Sequence, residues 1–234
     1  MTRRYNTFLA VILTAICIAF ASRSIVHYDA MPRPQGFTVA VEKFIAATES
    51  GVQQTELGST VIDQMVTIDP SKTALVLIDV WASHPNGGWM DRAKVVTSDR
   101  IVPLVEAVRG TDIRVVHAPH NTPMSALVQP VKGEINADEK GIATTAAFKA
   151  WLHEEGITTL IYAGYSSNWC VMHRPIGIIR MEPDFDVIFV RDASLAFETP
   201  ESLDGEWGHK MAVNYVRINS HTTTVAKVIA AIRH

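Results

Sequence analysis

Cysteine is scarce: the sequence has two, Cys17 and Cys170, and the first lies in a segment with the marks of a removable leader. Without that segment Cys170 stands alone and no intrachain disulfide can form. A lone thiol in an oxidising compartment is a liability unless it is buried or used. On residue type alone the bland role, a small buried hydrophobe, has the better claim. An excess of either charge is lacking as well. The net charge is −3 and the pI about 6.3, with Lys and Arg scattered rather than clustered. That leaves no electrostatic footprint for phosphate backbones, so nucleic acid is not an expected partner. There is no internal repeat and no low-complexity tract. With 47% apolar and 19% charged residues over 234 positions, the chain has ordinary globular usage and suits one well-buried domain.

A bilayer-spanning run is also missing. The longest uncharged apolar stretch near the start, Phe8 to Ala21, is about 14 residues, short of the roughly 20 a spanning helix needs. It follows Arg3 and Arg4 and ends in Ala19-Phe20-Ala21 before Ser22, the order of basic, apolar and small-residue segments found in secretory signals. A signal peptide over 1–21 and a periplasmic or secreted protein are expected. The alternative is an uncleaved N-terminal anchor, and only then is membrane a partner. Ile16 stands where a lipoprotein cleavage site wants a small residue, which argues against lipidation at Cys17.

Residues 22–70 hold Pro32, Pro34, Gly36, Gly51 and Gly58 among short apolar stretches of no fixed period. They read as an extended arm with strand pieces such as Ser59 to Ile68, suited to contacts in a homo-oligomer. The domain proper is expected over 71–234. From Thr73 onward strand-like and helix-like segments alternate, the mark of an α/β fold with a parallel sheet and crossover helices. Ala74 to Val80 is nearly continuous apolar, as in a strand covered on both faces. Ser98 or Asp99 is expected to cap a helix carrying Ile101, Leu104, Val105 and Val108 on one face and ending at Gly110. Ile113 to Ala118 reads as the next strand. Thr144 or Thr145 opens a helix with Phe148, Trp151 and Leu152 as its apolar stripe and Gly156 as its terminator. Leu160 to Gly164 and Asp186 to Val190 are further strands. Thr199-Pro200-Glu201 reads as the opening of a helix toward Tyr215, and a short strand near Thr222 to Thr224 precedes a last helix over Val225 to Arg233.

The stretch richest in chemistry is Gly164-Tyr165-Ser166-Ser167-Asn168-Trp169-Cys170-Val171, directly after an apolar strand. Open α/β sheets put their sites at such strand ends, and N–H groups at a helix start lower a thiol's pKa and stabilise an oxyanion. A Cys170 more reactive than a free thiol at neutral pH is therefore expected. Pro175 cannot sit inside a helix without loss of a donor and a clash, so the helix after Cys170 either begins late or is kinked.

This stretch resembles the nucleophile motif Gly-x-x-Thr-Asn-x-Cys-Val of the isochorismatase-like cysteine hydrolases, with Ser167 in place of Thr and the hydroxyl kept. Thr73-Ala74-Leu75-Val76-Leu77-Ile78-Asp79 is similar to the family's first strand with its Asp, and Gly156-Ile157 and Val190-Arg191-Asp192-Ala193 also look alike. The resemblance covers roughly residues 70–233. It implies a three-layer, Rossmann-like parallel sheet in the order 3-2-1-4-5-6 with helices on both faces. It makes Cys170 the nucleophile and Asp79 the group that takes its proton and passes it on. It also implies a lysine beside them. Lys132, about 38 residues before Cys170, has the family's separation, and Lys140 is the competing choice. Some members have a non-proline cis peptide before the Cys. The matching bond is Tyr165–Ser166, with the N–H groups of Ser166 and Cys170 as oxyanion donors.

Trp81, His84 and His117 are expected to line the substrate pocket with Ser166. His117 and His120 across Pro119 offer no Asp for the metal cluster used by nicotinamidases of this superfamily, so no metal and no cofactor are expected. Without Cys170 the bland reading of Asp79, a carboxylate capping a neighbouring helix, would be preferred. With both present, a thiol that is mostly protonated at neutral pH has the base it needs. The leading reading is hydrolysis of a C–N bond in a small amide. An enol-ether hydrolase of the isochorismate type and a non-catalytic binding protein that kept the fold are the alternatives.

Overall fold

The computed structural model describes residues 36–45 and 59–234; the segment read as a signal peptide or anchor, with its cleavage point, lies outside the described residues. Among the described residues no helix is long and apolar enough to cross a membrane. The strands are β1 (Phe37–Ile45), β2 (Thr60–Ile68), β3 (Thr73–Ile78), β4 (Arg114–Ala118), β5 (Ile135–Asn136), β6 (Thr159–Gly164), β7 (Asp186–Val190) and β8 (His221–Thr223). They form one sheet in the order β2-β1-β8-β7-β6-β3-β4-β5. Its six parallel strands, β3 to β8, stand in the order 3-2-1-4-5-6 when counted along the chain, as the family resemblance implies. The difference lies at one edge. There β1 runs antiparallel to β8 through Glu42 and Thr222, and β2 pairs antiparallel with β1 along its whole length. Part of the stretch read as an extended arm thus adds two strands to the sheet. β8 has only three residues, and the added hairpin covers an edge that would otherwise present unpaired N–H and C=O groups.

β3 is buried at every position, because helices pack on both faces. One core holds Leu75 and Leu77 with Trp89, Leu104, Val105, Val108 and Val228; the other holds Val76 and Ile78 with Phe148, Trp151, Leu152, Tyr162 and Val216. Burying each such side chain is worth about 1.5–3 kcal/mol, which explains a continuous apolar strand where alternation would have marked a half-exposed one. Helix α3 (Thr145–Glu154) starts as expected, with the Thr144 hydroxyl accepting from the N–H of Ala147, and Gly156 follows it with φ 69°.

Two helices differ from expectation. The first begins at Gly87, not at Ser98: Asn86 caps α1 (Gly87–Val96) through the N–H of Trp89 at 3.0 Å, and a π-helical stretch over Thr97–Ile101 leads into α2 (Val102–Arg109). The buried face Trp89, Met90 and Ala93 of α1 packs in the same core as Leu104, Val105 and Val108 of α2. The second is α6 (Trp207–Asn219), which starts well after Pro200. Glu198 accepts from the N–H groups of Gly208 and His209, both at 2.9 Å, and so caps α6 from a distance while the intervening residues turn. Two short helices, α4 (Cys170–His173) and α5 (Ile178–Met181), follow β6, and α7 (Val225–Arg233) closes the chain.

Candidate active site

β3 and β6 are adjacent and parallel, with Ile78 level with Gly164, so the chain leaves both strands at the same edge of the sheet. Asp79 is the first residue beyond β3. Its N–H extends the ladder to the carbonyl of Ala118 at 3.0 Å, and its carbonyl accepts from Trp81 at 2.9 Å. With φ 49° the backbone turns sharply here. The side chain is wholly buried.

The turn after β6 is fastened residue by residue. The N–H groups of Tyr165 and Ser167 donate to the carbonyls of Ile78 and Leu195, and those of Trp169 and Val171 both donate to the carbonyl of Ser166. The Asn168 side chain pairs with both backbone groups of Phe197, at 3.0 and 2.8 Å. Ser167 Oγ lies 2.9 Å from His209 Nδ1, and Tyr165 Oη reaches the carbonyl of Ala93 at 2.7 Å. The Tyr165–Ser166 peptide bond is cis, at the position the resemblance indicates. Cys170 then opens α4 and is buried, and the N–H of Ser166 is directed at its sulfur.

Asp79 and Cys170 come together. They are close enough to shift each other's ionisation, although Oδ1 of Asp79 has no hydrogen-bond partner of ordinary geometry, the looseness expected of an unliganded site. Burial pushes the Asp79 carboxyl above its usual range, against the thiol's hydrogen bond and the charge of Arg174. Burial also pushes the Cys170 thiol up to about 11, with the Asp79 charge adding to it and the Ser166 N–H opposing it. The expectation of a thiol more acidic than usual is therefore corrected. A helix of four residues supplies little field, and a buried carboxylate beside the sulfur outweighs it.

A second correction concerns the lysine. The groups on the Asp79 carboxylate are Arg174 Nε at 2.8 Å and Nη2 at 2.7 Å, both on Oδ2. Lys132 and Lys140 are exposed. Glu134 accepts from Arg109 Nε at 2.7 Å and from the N–H of Val131 at 3.1 Å, so the turn carrying Lys132 is tied down at the end of α2. The same network claims His117, whose Nε2 lies 2.8 Å from Glu134 and which is level with Leu77 rather than with the strand end. Arg174 reaches Asp79 across 95 residues through the fold-back of the chain after α4, which no spacing in the sequence marks. Neither expectation for that helix holds: α4 starts at the cysteine and stops at Arg174, whose ψ of 154° is the extended conformation a following proline requires.

Trp81 and His84 pack against each other. Their rings stack at 5.8 Å and 3°, and His84 also meets Trp89 at 4.9 Å and Phe197 at 5.2 Å. Trp81 is held by its Nε1 donating to Pro119 at 2.9 Å. Ser166 Oγ and His120 Nδ1 are buried without partners. A separate hollow of about 990 Å³ beside α6 includes neither Asp79 nor Cys170.

The model of the Isochorismatase domain matches residues 73–228. The chain belongs to the isochorismatase family. Membership makes it a hydrolase, and the matched span contains both Asp79 and Cys170. Among solved structures, a cysteine hydrolase from Pseudomonas syringae pv. phaseolicola superposes with a TM-score of 0.53 at 17% identity, covering 71% of this chain and 94% of that one. An isochorismatase-like hydrolase from Alkaliphilus metalliredigens gives 0.52 at 21% identity, covering 68% and 98%. At these identities the likeness is one of fold.

Proposed function

We propose that the protein hydrolyses a C–N bond in a small amide-type substrate, with Cys170 as nucleophile and Asp79 as acid and base. The observation that carries this is the meeting of a buried carboxylate and a buried thiol at one sheet edge, with a backbone N–H aimed at the sulfur. The Cys170 sulfur adds to the substrate carbonyl as its proton passes to Asp79. The resulting oxyanion is received by the N–H groups of Ser166 and Cys170, donors that are worth most when pre-aimed in a water-poor site. Asp79 returns the proton to the departing nitrogen, the C–N bond breaks, and a thioester remains. Water, deprotonated by Asp79, then releases the acid and restores the thiol. Trp81, His84 and Ser166 are the proposed substrate contacts.

A screen of small amides, ureas and imides tests this reading. The wild type is expected to turn over a member of the set and to carry a transient acyl mass on the Cys170 peptide after quenching. Turnover that survives full alkylation of Cys170 would instead point to an enol-ether hydrolase, in which the carboxylate alone does the acid chemistry. We also propose export to the periplasm or beyond, on the order of basic, apolar and small segments in residues 1–21. N-terminal sequencing is expected to place the mature start near Ser22; an intact Met1 on soluble cytoplasmic protein would defeat it.

A further inference from the structure

Membership of the family leads one to look for a lysine beside Asp79, and an arginine from another part of the chain is there. The side chain of Arg174 is mostly covered, and its two nitrogens at 2.7 and 2.8 Å occupy a single carboxylate oxygen, Oδ2. The other oxygen, Oδ1, is buried and unpartnered. Arg174 is itself fixed from three directions. Its N–H donates to the carbonyl of Cys170 at 3.0 Å, and its carbonyl accepts from Gly177 at 2.8 Å. The next two carbonyls, of Pro175 and Ile176, accept from Thr145 Oγ1 at 2.6 Å and Tyr162 Oη at 2.7 Å. A Cβ at Gly177 would lie 2.8 Å from the carbonyl oxygen of Val171, so the chain can fold back on α4 only with glycine there.

We propose that Arg174 is the positioning residue of this site: it holds Asp79 ionised through Oδ2 and leaves Oδ1 as the one oxygen free to take the Cys170 proton. The use of that proton rests on the amide-hydrolase reading; the hold on Asp79 does not. A guanidinium in a protein does not give up its proton. The cation beside Asp79 is therefore permanent, and the proton that moves in the first step has only the sulfur and Oδ1 to travel between. The groups that act on Asp79 are Cys170, Arg174 and His120, and burial of His120 favours its neutral form. Arg174 is thus the main positive charge the carboxylate feels.

The test reads Asp79 directly. Carboxyl ¹³C titration of the full chain in a Cys170→Ala background, with the Asp79→Asn spectrum assigning the signal, gives the Asp79 midpoint without interference from the thiol. Arg174→Met is expected to raise the midpoint by about 1–3 pH units, the range a paired arginine accounts for. Arg174→Lys should raise it less, since the charge is kept while the planar fork is lost. Lys132→Met and Lys140→Met should leave it unmoved. In otherwise wild-type enzyme, the acid limb of kcat/KM for whichever amide is hydrolysed should move with the midpoint. An Arg174→Met midpoint equal to that of the parent overturns the proposal, as does a rise in KM with no change in the titration, which would make Arg174 a substrate anchor. If Arg174→Met does not fold, as judged by circular dichroism, Arg174→Lys against Lys132→Met decides: a rise in Lys132→Met equal to or larger than that in Arg174→Lys, or no rise in Arg174→Lys, overturns it. A shift in Arg174→Met together with no hydrolysis by the wild type supports the positioning role and defeats only the hydrolase reading.

Discussion

Cys170→Ala is expected to lower kcat by roughly four orders of magnitude or more, Asp79→Asn by a comparable factor, and the double variant by no more than the worse of the two. The sulfur and the carboxylate share one proton in the proposed first step, so removing either group removes the whole step and a second removal finds nothing left to cost. The same sharing sets the pH dependence. The working state carries one proton on the Asp79–Cys170 pair. Below the Asp79 value, which burial raises above the ordinary carboxylate range, both groups are protonated and there is no base. Above about 11 the thiol proton is lost and there is nothing to return to the leaving group. Activity should thus rise through an acid limb placed above that of an ordinary carboxylate and fall on the alkaline side only near pH 11. Alkylation of Cys170 by iodoacetamide should be slow at pH 7 and quicken toward the same upper value. Rapid alkylation at pH 7, or an alkaline limb near pH 8, would show a resting thiolate and sink this proton inventory.

Gly164→Ala is the substitution expected to damage the fold most among those that touch no reacting group. Gly164 closes β6 with φ 110°, a conformation that costs other residues about 1–3 kcal/mol. A Cβ there would lie 2.0 Å from the carbonyl oxygen of Ile78 and 2.8 Å from its nitrogen. Neither atom can retreat, because Ile78 is buried at the end of β3, between β4 and β6, and its carbonyl accepts from Tyr165 at 2.8 Å. Overpacking of this kind adds about 1–3 kcal/mol. The sum is a large share of the 5–15 kcal/mol that holds a domain together. It corresponds to a fall of roughly 4–24 °C in melting temperature, taking about 2–4 °C per kcal/mol for a domain of this size. Because Ile78 precedes Asp79 and Gly164 begins the turn to Cys170, whatever folds should also be nearly inactive. A melting temperature within about 2 °C of the wild type would show that the strand ends have room to move.

Legibility in the sequence followed the range of the interaction. The buried run Ala74 to Val80, the capped helix from Thr144, and the turn from Gly164 to Cys170 could each be read from neighbouring residues, because strand burial, helix capping and strand-to-helix turns are local matters. So could the pairing of Asp79 with Cys170, once the resemblance supplied an order for the strands. Local signals misled where distant groups took over. Glu198 caps α6 in place of the Thr199-Pro200-Glu201 signal, and Asn86, rather than Ser98 or Asp99, caps the first helix. The ionic arrangement was beyond sequence reasoning altogether. That Glu134 would claim Arg109 and His117 and hold the Lys132 turn at the surface depends on chain crossings no spacing reveals. So does the folding back of Gly177, Pro175 and Ile176 that fixes Arg174 beside Asp79. The sequence by itself singled out Asp79 and Cys170, and the strand order its family resemblance implies brings them to one edge. Tertiary structure alone decided which cation meets the carboxylate and that the thiol's pKa is pushed up rather than down, because both depend on burial and on charges that are neighbours only in space.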